Sequence, residues 1–298
     1  MKTNFIRQNV FPVLAALIWG LAFVAQSVGA DRVGPFTFNA ARALIGFLFL
    51  LVICIALRLK NRGVAEEKTR SREYFKDLVI GGICCGIALT LAVNLQQKGL
   101  ETTSSGKAGF ITALYIVLVP IAGLFLKKKA PRLIWLSVAI AVAGLYFLSI
   151  SGSVSITIGD FYMLLAALCF TGHILVIDHF TNKVSGIELS CMQFLVVALI
   201  SSVGMAATET PSWADIASCA VPLLYVGILS SGVGYTLQIL AQKDSNPTVV
   251  SLLMSLESVF ATVFGALILH EAMSGREYFG CVLMLIAVVL AQLPDKKR

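Results

Sequence analysis

The feature that most constrains this chain is the length and regular recurrence of its apolar runs. Ten can be drawn: Val10–Ala30, Phe36–Leu57, Leu78–Gln97, Ala108–Leu126, Leu133–Ile150, Phe161–Ile177, Glu188–Ala207, Ala217–Leu240, Val249–Leu269 and Tyr278–Leu293. Each has about 16 to 23 residues, the length a helix needs to cross the hydrocarbon of a bilayer. Hydrocarbon offers no partner to a peptide group, so such runs must close their hydrogen bonds internally, as helices. The expected class is an all-α integral membrane protein with ten transmembrane helices. Composition agrees: 58% of residues are hydrophobic and 13% charged, against about 25% charged in soluble domains.

The formal net charge of +7 does not mark a nucleic-acid binder, because the bases sit in short runs between the spans. With the N-terminus inside, the inner segments take Lys2, Arg7, the run from Arg58 to Lys76, Lys127, Lys128, Lys129, Arg132, Lys183, Lys243 and the last three residues. The outer segments take Arg32, Lys98, Lys107 and Arg276, and Arg42 lies within a span. That imbalance predicts both termini in the cytoplasm. The first run, flanked by Lys2 and Arg7 and ending in small residues before Asp31, imitates a cleaved signal peptide, but removing it would break the span count. The seven cysteines fall in or beside apolar runs without CxxC spacing. They read as small hydrophobes, with no metal and no cofactor implied.

Two stretches echo each other. Asn246 to Glu271 opens on Asn-Pro, with proline in the first helical turn where its missing N–H costs nothing, and continues as an apolar span. Thr103 to Lys129 has the same order: a Ser/Thr-rich start, an apolar span and a polar end. Ala16–Gly20 likewise lines up with Leu168–Gly172, and Asn94–Lys98 with Ile239–Lys243. Five spans start and finish on opposite faces, so a duplicate of them inserts upside down. Residues 1–152 and 153–298 are therefore expected to be inverted five-helix repeats.

At these residues a family resemblance emerges. QILAQKDSNPTVVSLLMSLESVFATVFGALILHE resembles the second-half signature of the EamA-like branch of the drug/metabolite transporter (DMT) superfamily, and NLQQKGLETTSSGKAGFITALYIVLVP resembles its first-half counterpart. AALIWGLAF resembles the start of the family's first helix. The resemblance covers nearly the whole chain and implies a ten-helix carrier with a central cavity between inverted halves. Ser258 follows Glu257 where the family often has proline, a departure that bears on whether that helix kinks.

Polar residues inside the spans should face protein or a wet cavity. Asn39, Arg42, Ala43 and Gly46 share one face, and Arg42 suits either a substrate carboxylate or a helix-to-helix contact. Gly82, Gly86, Thr90, Asn94 and Gln97 form a second stripe. Gly227, Ser231, Gly234, Gln238 and Gln242 form a third, with Tyr235 at its edge. As corresponding helices, these two stripes are expected to meet. Their glycines suit close backbone approach, and Asn94, Gln97, Tyr235 and Gln238 suit cavity lining. Trp19, on one face with Ala22 and Gln26, fits a cavity or packing role, and Tyr115 could cap the cavity or sit in the core. His173 and Glu257 are the groups to consider for proton coupling. Yet Glu257 lies roughly 120° around a regular helix from the serine stripe Ser251–Ser255–Ser258, and His173 stands on a mostly apolar face, as core histidines do.

No HExxH, Walker glycine loop or GxSxG occurs, and no soluble stretch could hold a catalytic domain. The expected function is a secondary carrier of a bacterial inner membrane, taking a small metabolite such as an amino acid. Export follows from the resemblance alone. The alternatives are a drug or cation effluxer, which wants a carboxylate in the cavity, and an intramembrane lipid-modifying enzyme, for which Asp178-His179 is a lone pair. The partners implied are a small-molecule substrate and membrane lipid.

Overall fold

The computed structural model describes residues 6–60, 71–103, 105–126, 131–149, 157–268 and 273–293, and among these every regular element is helical. The order is α1 (Ile6–Ala30), α2 (Pro35–Lys60), α3 (Arg72–Gly99), α4 (Ser105–Ala113), α5 (Tyr115–Phe125), α6 (Arg132–Ser149), α7 (Ile158–Phe180), α8 (Gly186–Thr208), the short α9 (Trp213–Ser218), α10 (Ala220–Gln242), α11 (Pro247–Met254), α12 (Glu257–Ile268) and α13 (Gly275–Ala291). Among the described residues eight helices are long and apolar enough to cross a membrane, α4–α5 and α11–α12 each counting as one. The expected spans Leu133–Ile150 and Tyr278–Leu293 correspond to α6 and α13, of 18 and 17 residues, which are shorter than those eight spans and are not counted among them. The charged segment between α2 and α3 falls largely at residues 61–70, outside the described residues.

Side-chain caps set several starts. Ser71 accepts from the Tyr74 N–H at α3, and Asn246 from Thr248 at α11. Thr157 with Asp160 and Ser274 with Glu277 form reciprocal capping boxes at α7 and α13, satisfying first-turn donors that would otherwise be orphaned.

Two spans are interrupted at matching places. Tyr115 opens α5 and Glu257 opens α12, 142 residues apart. The same separation holds between Ser105 and Pro247, which open α4 and α11. At the second break no proline is involved. Instead the Ser251 and Ser255 hydroxyls bond back to the carbonyls of Thr248 and Leu252, three residues earlier. The Leu256 and Ser258 N–H groups likewise reach only three residues back. Side chains competing for the ladder carbonyls tighten and bend a helix in this way. In the first half the Leu114 N–H reaches three residues back, to Ile111, and Pro120 withdraws a donor within α5.

The helices pack as α3 on α7 and α8, α2 on α8, α1 on α10 and α12, α2 on α10, and α6 on α13. The stripes on α3 and α10 therefore do not meet as expected. Gly82 and Gly86 of α3 face Met192 and Val196 of α8, while Gly227 of α10 faces Ile45 and the Arg42 carbonyl of α2. Their small residues are used for close approach, each to a helix of the other half of the chain.

The polar members of the α3 stripe pin helices together. Asn94 receives the Asn39 amide at 3.0 Å and donates to Ser201 Oγ at 3.1 Å and to the Thr90 carbonyl. Gln97 donates to the carbonyl of Gln26 in α1, and its counterpart Gln242 donates to that of Ile174 in α7.

Charged side chains gather at the two ends of the bundle. At one end Arg7 and Gln8 hold Asp244 in the α10–α11 turn, and Arg58 and Tyr74 hold Glu188. At the other, Lys107 and Thr103 hold Asp160, and Glu209 holds the first turn of α2.

Two stability outcomes follow. A Cβ at Gly280 would stand 2.7 Å from the Gly144 carbonyl and 2.8 Å from the Leu148 nitrogen, whereas one at Gly172 meets nothing within 4 Å. Gly280→Ala should lower the detergent-solubilised melting temperature by the equivalent of about 1–3 kcal/mol, while Gly172→Ala leaves it unchanged or raises it; equal effects would refute the α6–α13 contact. Asn94→Leu should cost about 0.6–1.7 kcal/mol, the range for intramembrane hydrogen bonds, read by the same melts.

Candidate functional site

Gly20 sets the geometry of the site. A Cβ there would lie 2.5 Å from Phe260 Cβ and 2.8 Å from the Ala261 nitrogen, so its absence lets α1 lie directly on the first turn of α12. This brings Glu257 against the α1 face that carries Trp19, Phe23 and Gln26. A cavity opens at this contact, with about 480 Å³ of space between its walls, part of it continuous with the outside. Its walls are Trp19, Phe23 and Gln26 of α1, Arg42 of α2, Gln96 of α3, Thr112 of α4, Tyr115 of α5, Phe170 and Ile174 of α7, Ser230, Tyr235 and Gln238 of α10, Met254 of α11 and Glu257 of α12. Both helix interruptions thus border the same space, and Ser230 and Tyr235 lie in and just after a π-helical stretch of α10, Tyr225–Gly234. Phe23, Gln26, Arg42 and Gln96 all lie in the end of their helix nearer Glu209 and Lys107, so the cavity extends from the middle of the bundle toward that face.

Two ionisable groups, Arg42 and Glu257, line the cavity, and they are not ion-paired to each other. Arg42 Nη1 donates to Gln26 Oε1 at 3.2 Å. Glu257 Oε1 accepts from the Tyr115 hydroxyl at 3.2 Å, a bond that joins the two interruptions. Among the described residues no ion pair involves either. Trp19 and Tyr235 stack obliquely at 4.8 Å between centroids. Trp19 Nε1 and Gln238 Oε1 are buried and have no hydrogen-bond partner.

Of the residues singled out in the sequence, Trp19, Arg42, Tyr115, Tyr235, Gln238 and Glu257 come together here. Asn39, Asn94 and Gln97 do not line the cavity; they form the helix pins described above. His173 is fully buried between α7 and α8, with Nε2 3.0 Å from Gln193 Oε1, and touches the site only through the edge of Tyr235. The off-stripe placement of Glu257 is corrected. The 120° offset assumed an unbroken helix, but the turn at Ser255–Leu256 re-aims everything after it.

Several wall residues went unnamed as site residues. Gln26 shares the Trp19 face seven residues on, and Thr112 precedes Tyr115 by one turn, so helical spacing could have found both. Gln96 is one register step from Gln97. Phe23, Phe170, Ile174 and Met254 carry no signal distinguishing a wall from a core.

Comparison with known proteins agrees with this architecture. Residues 8–150 and 157–293 each match the EamA-like transporter family. An uncharacterized transporter of Archaeoglobus fulgidus is 32% identical over 98% of this chain and 92% of its own length. The uncharacterized transporter YoaV of Bacillus subtilis is 23% identical over 96% of this chain and 97% of its own. A WAT1-related chloroplastic protein of Arabidopsis thaliana is 24% identical over 93% of this chain and 67% of its own. A solved crystal structure of a protein superposes with a TM-score of 0.75 at 18% identity, covering 96% of each chain, and so shares the fold. A multi-pass helical membrane protein whose two halves each match one family is thereby placed: the chain belongs to the EamA-like transporter family, within the drug/metabolite transporter superfamily.

Proposed function

We propose that this transporter is a secondary carrier for small zwitterionic metabolites of the amino-acid class, exporting or exchanging them across a bacterial inner membrane. The observation that carries the reading is a guanidinium and a carboxyl group in one cavity, Arg42 and Glu257, with no ion pair between them. A lone guanidinium is expensive to bury and suits a bidentate carboxylate. A carboxylate whose bond is to a tyrosine hydroxyl suits an ammonium group. Trp19, Tyr235 and Phe170 supply apolar and π surface for a side chain.

The chain works as ten spans, in the inverted five-helix repeats 1–152 and 153–298, with both termini cytoplasmic. The packing supports this. Exchanging each helix for its counterpart turns the α3–α7 pair into α10–α1, and the α3–α8 pair into α10–α2, while α2–α8 and α6–α13 map onto themselves. The two halves rock about the cavity to expose it alternately. Glu257, at the break of α12 and bonded to Tyr115, carries the coupling proton; His173, enclosed by helix packing and bonded to Gln193, is the less suited of the two.

A second reading, efflux of organic cations, gains from the same geometry. A carboxylate inside an aromatic-walled cavity is what such a substrate wants, and Glu257 does face the cavity.

Arg42→Gln should raise the Kd for carboxylate-bearing ligands roughly tenfold or more, the weight of a lost charge-assisted bond, and leave amines lacking a carboxylate unaffected. Calorimetry with an amino-acid and amine panel checks this; no loss for either class favours the cation reading, and equal losses for both make Arg42 a structural residue. Glu257→Gln should abolish pH-gradient-driven accumulation in proteoliposomes, and accumulation at the parent rate would remove Glu257 from coupling.

A further inference from the structure

Helices α2 and α8 pack along one another and are fastened at both ends. At the end nearer the cavity, the Glu209 carboxylate, just past α8, accepts from the N–H groups of Phe36 and Thr37 at 2.9 and 2.7 Å and from the Thr37 hydroxyl at 2.6 Å. At the opposite end Arg58, late in α2, meets Glu188 in the first turn of α8 at 3.4 Å. The Tyr74 hydroxyl donates to Glu188 at 2.6 Å and accepts from the Ser185 N–H.

These two fastenings are counterparts. The same number of residues separates Arg58 from Glu209 as separates Thr37 from Glu188. Each therefore joins the far end of one helix to the first turn of the other, with the two halves of the chain exchanged. A second set repeats the arrangement. Thr103 and Lys107 hold Asp160 at the start of α7, and on the other face Arg7 and Gln8 at the start of α1 hold Asp244. The cavity lies between the two faces. Below it, toward Arg58, the buried cluster of Leu78, Cys85, Ile177, Phe180, Leu189 and Ile239 fills the bundle.

We propose that Glu209 on the first turn of α2, and Arg58 and Tyr74 on Glu188, are the opposed gates of the transport path, one opening while the other holds. This rests on the carrier reading above. Stiff helices fastened to each other at both ends cannot separate at one end by flexing locally; a rocking motion has to release one fastening and can keep the other. The bonds suit that duty. The Glu209 contact is a carboxylate on a helix N-terminus, attractive yet open to water. Arg58 is half exposed, so the guanidinium can exchange Glu188 for solvent, while Glu188, nearly buried, keeps its Tyr74 bond.

The test uses the full-length protein with Ser230→Cys as a reporter in the cavity wall, labelled by a membrane-impermeant thiol reagent from either side. Labelling of the parent chain's own cysteines is subtracted. Glu209→Gln and the milder Thr37→Val should speed labelling from the Glu209 face only. Arg58→Ala and the milder Tyr74→Phe should speed it from the Arg58 face only. About tenfold is expected where a charge-assisted bond is lost in a two-state equilibrium. Exchanging the inner charges, Arg58→Glu with Glu188→Arg, should bring labelling back toward the parent rate. Unchanged rates, or faster labelling from the same face or from both faces with either set, would overturn the proposal. Uptake measured on the same preparations separates the two claims. Side-specific labelling without uptake of any panel substrate sinks the carrier reading, and uptake with unaltered labelling sinks the gates.

Discussion

A peptide group without a partner costs several kcal/mol in hydrocarbon, and this one constraint decides where the chain can depart from regular helix. It departs at Leu114 and at Ser255–Leu256, and both departures are turned inward onto the cavity. At the second break the serine hydroxyls that disturb the ladder also occupy the carbonyls they disturb, so the interruption is stabilised by the side chains that cause it. Tyr115 and Glu257 follow the two breaks and bond to each other. The site is thus built where the backbone is least regular, and the rest of the bundle keeps lipid away from it.

Apolar periodicity is dictated by bilayer thickness, so the all-helical class and the approximate limits of the long apolar helices were legible in the sequence. The number of spans was not: ten were expected, and among the described residues eight helices have the length and apolarity to cross. The close-packing role of the stripe glycines was legible too, because a missing Cβ has one evident use between helices. Cavity residues were only partly legible. A helical face shows that a residue is hidden from lipid, but it cannot distinguish a neighbouring helix from a void. Asn94, Gln97 and Gln238 look alike on paper. The first two point their amides into neighbouring helices, at Ser201 and the Gln26 carbonyl, whereas Gln238 lines the cavity. Glu257 shows a second limit, because angular arithmetic holds only while the helix is continuous.

The chain distributes its polar groups between two duties. Asn39, Asn94, Gln97 and Gln242 have their amides engaged with other helices or with carbonyls, which fixes helices in register. Arg42, Glu257, Trp19 and Gln238 line the cavity instead. That division separates the groups that hold the bundle together from those that face its site.

The α6–α13 pair has a further effect. Eighteen and seventeen helical residues rise only about 26 Å, less than the roughly 30 Å of hydrocarbon around them. Gly144 and Gly280 seat the two backbones against each other, so the pair presents one short edge rather than two independent helices. Where that edge spans the bilayer, as the proposed ten-span carrier has it, the lipid beside it would thin to meet it, which would make acyl-chain length a term in the energy of any motion that shifts the pair.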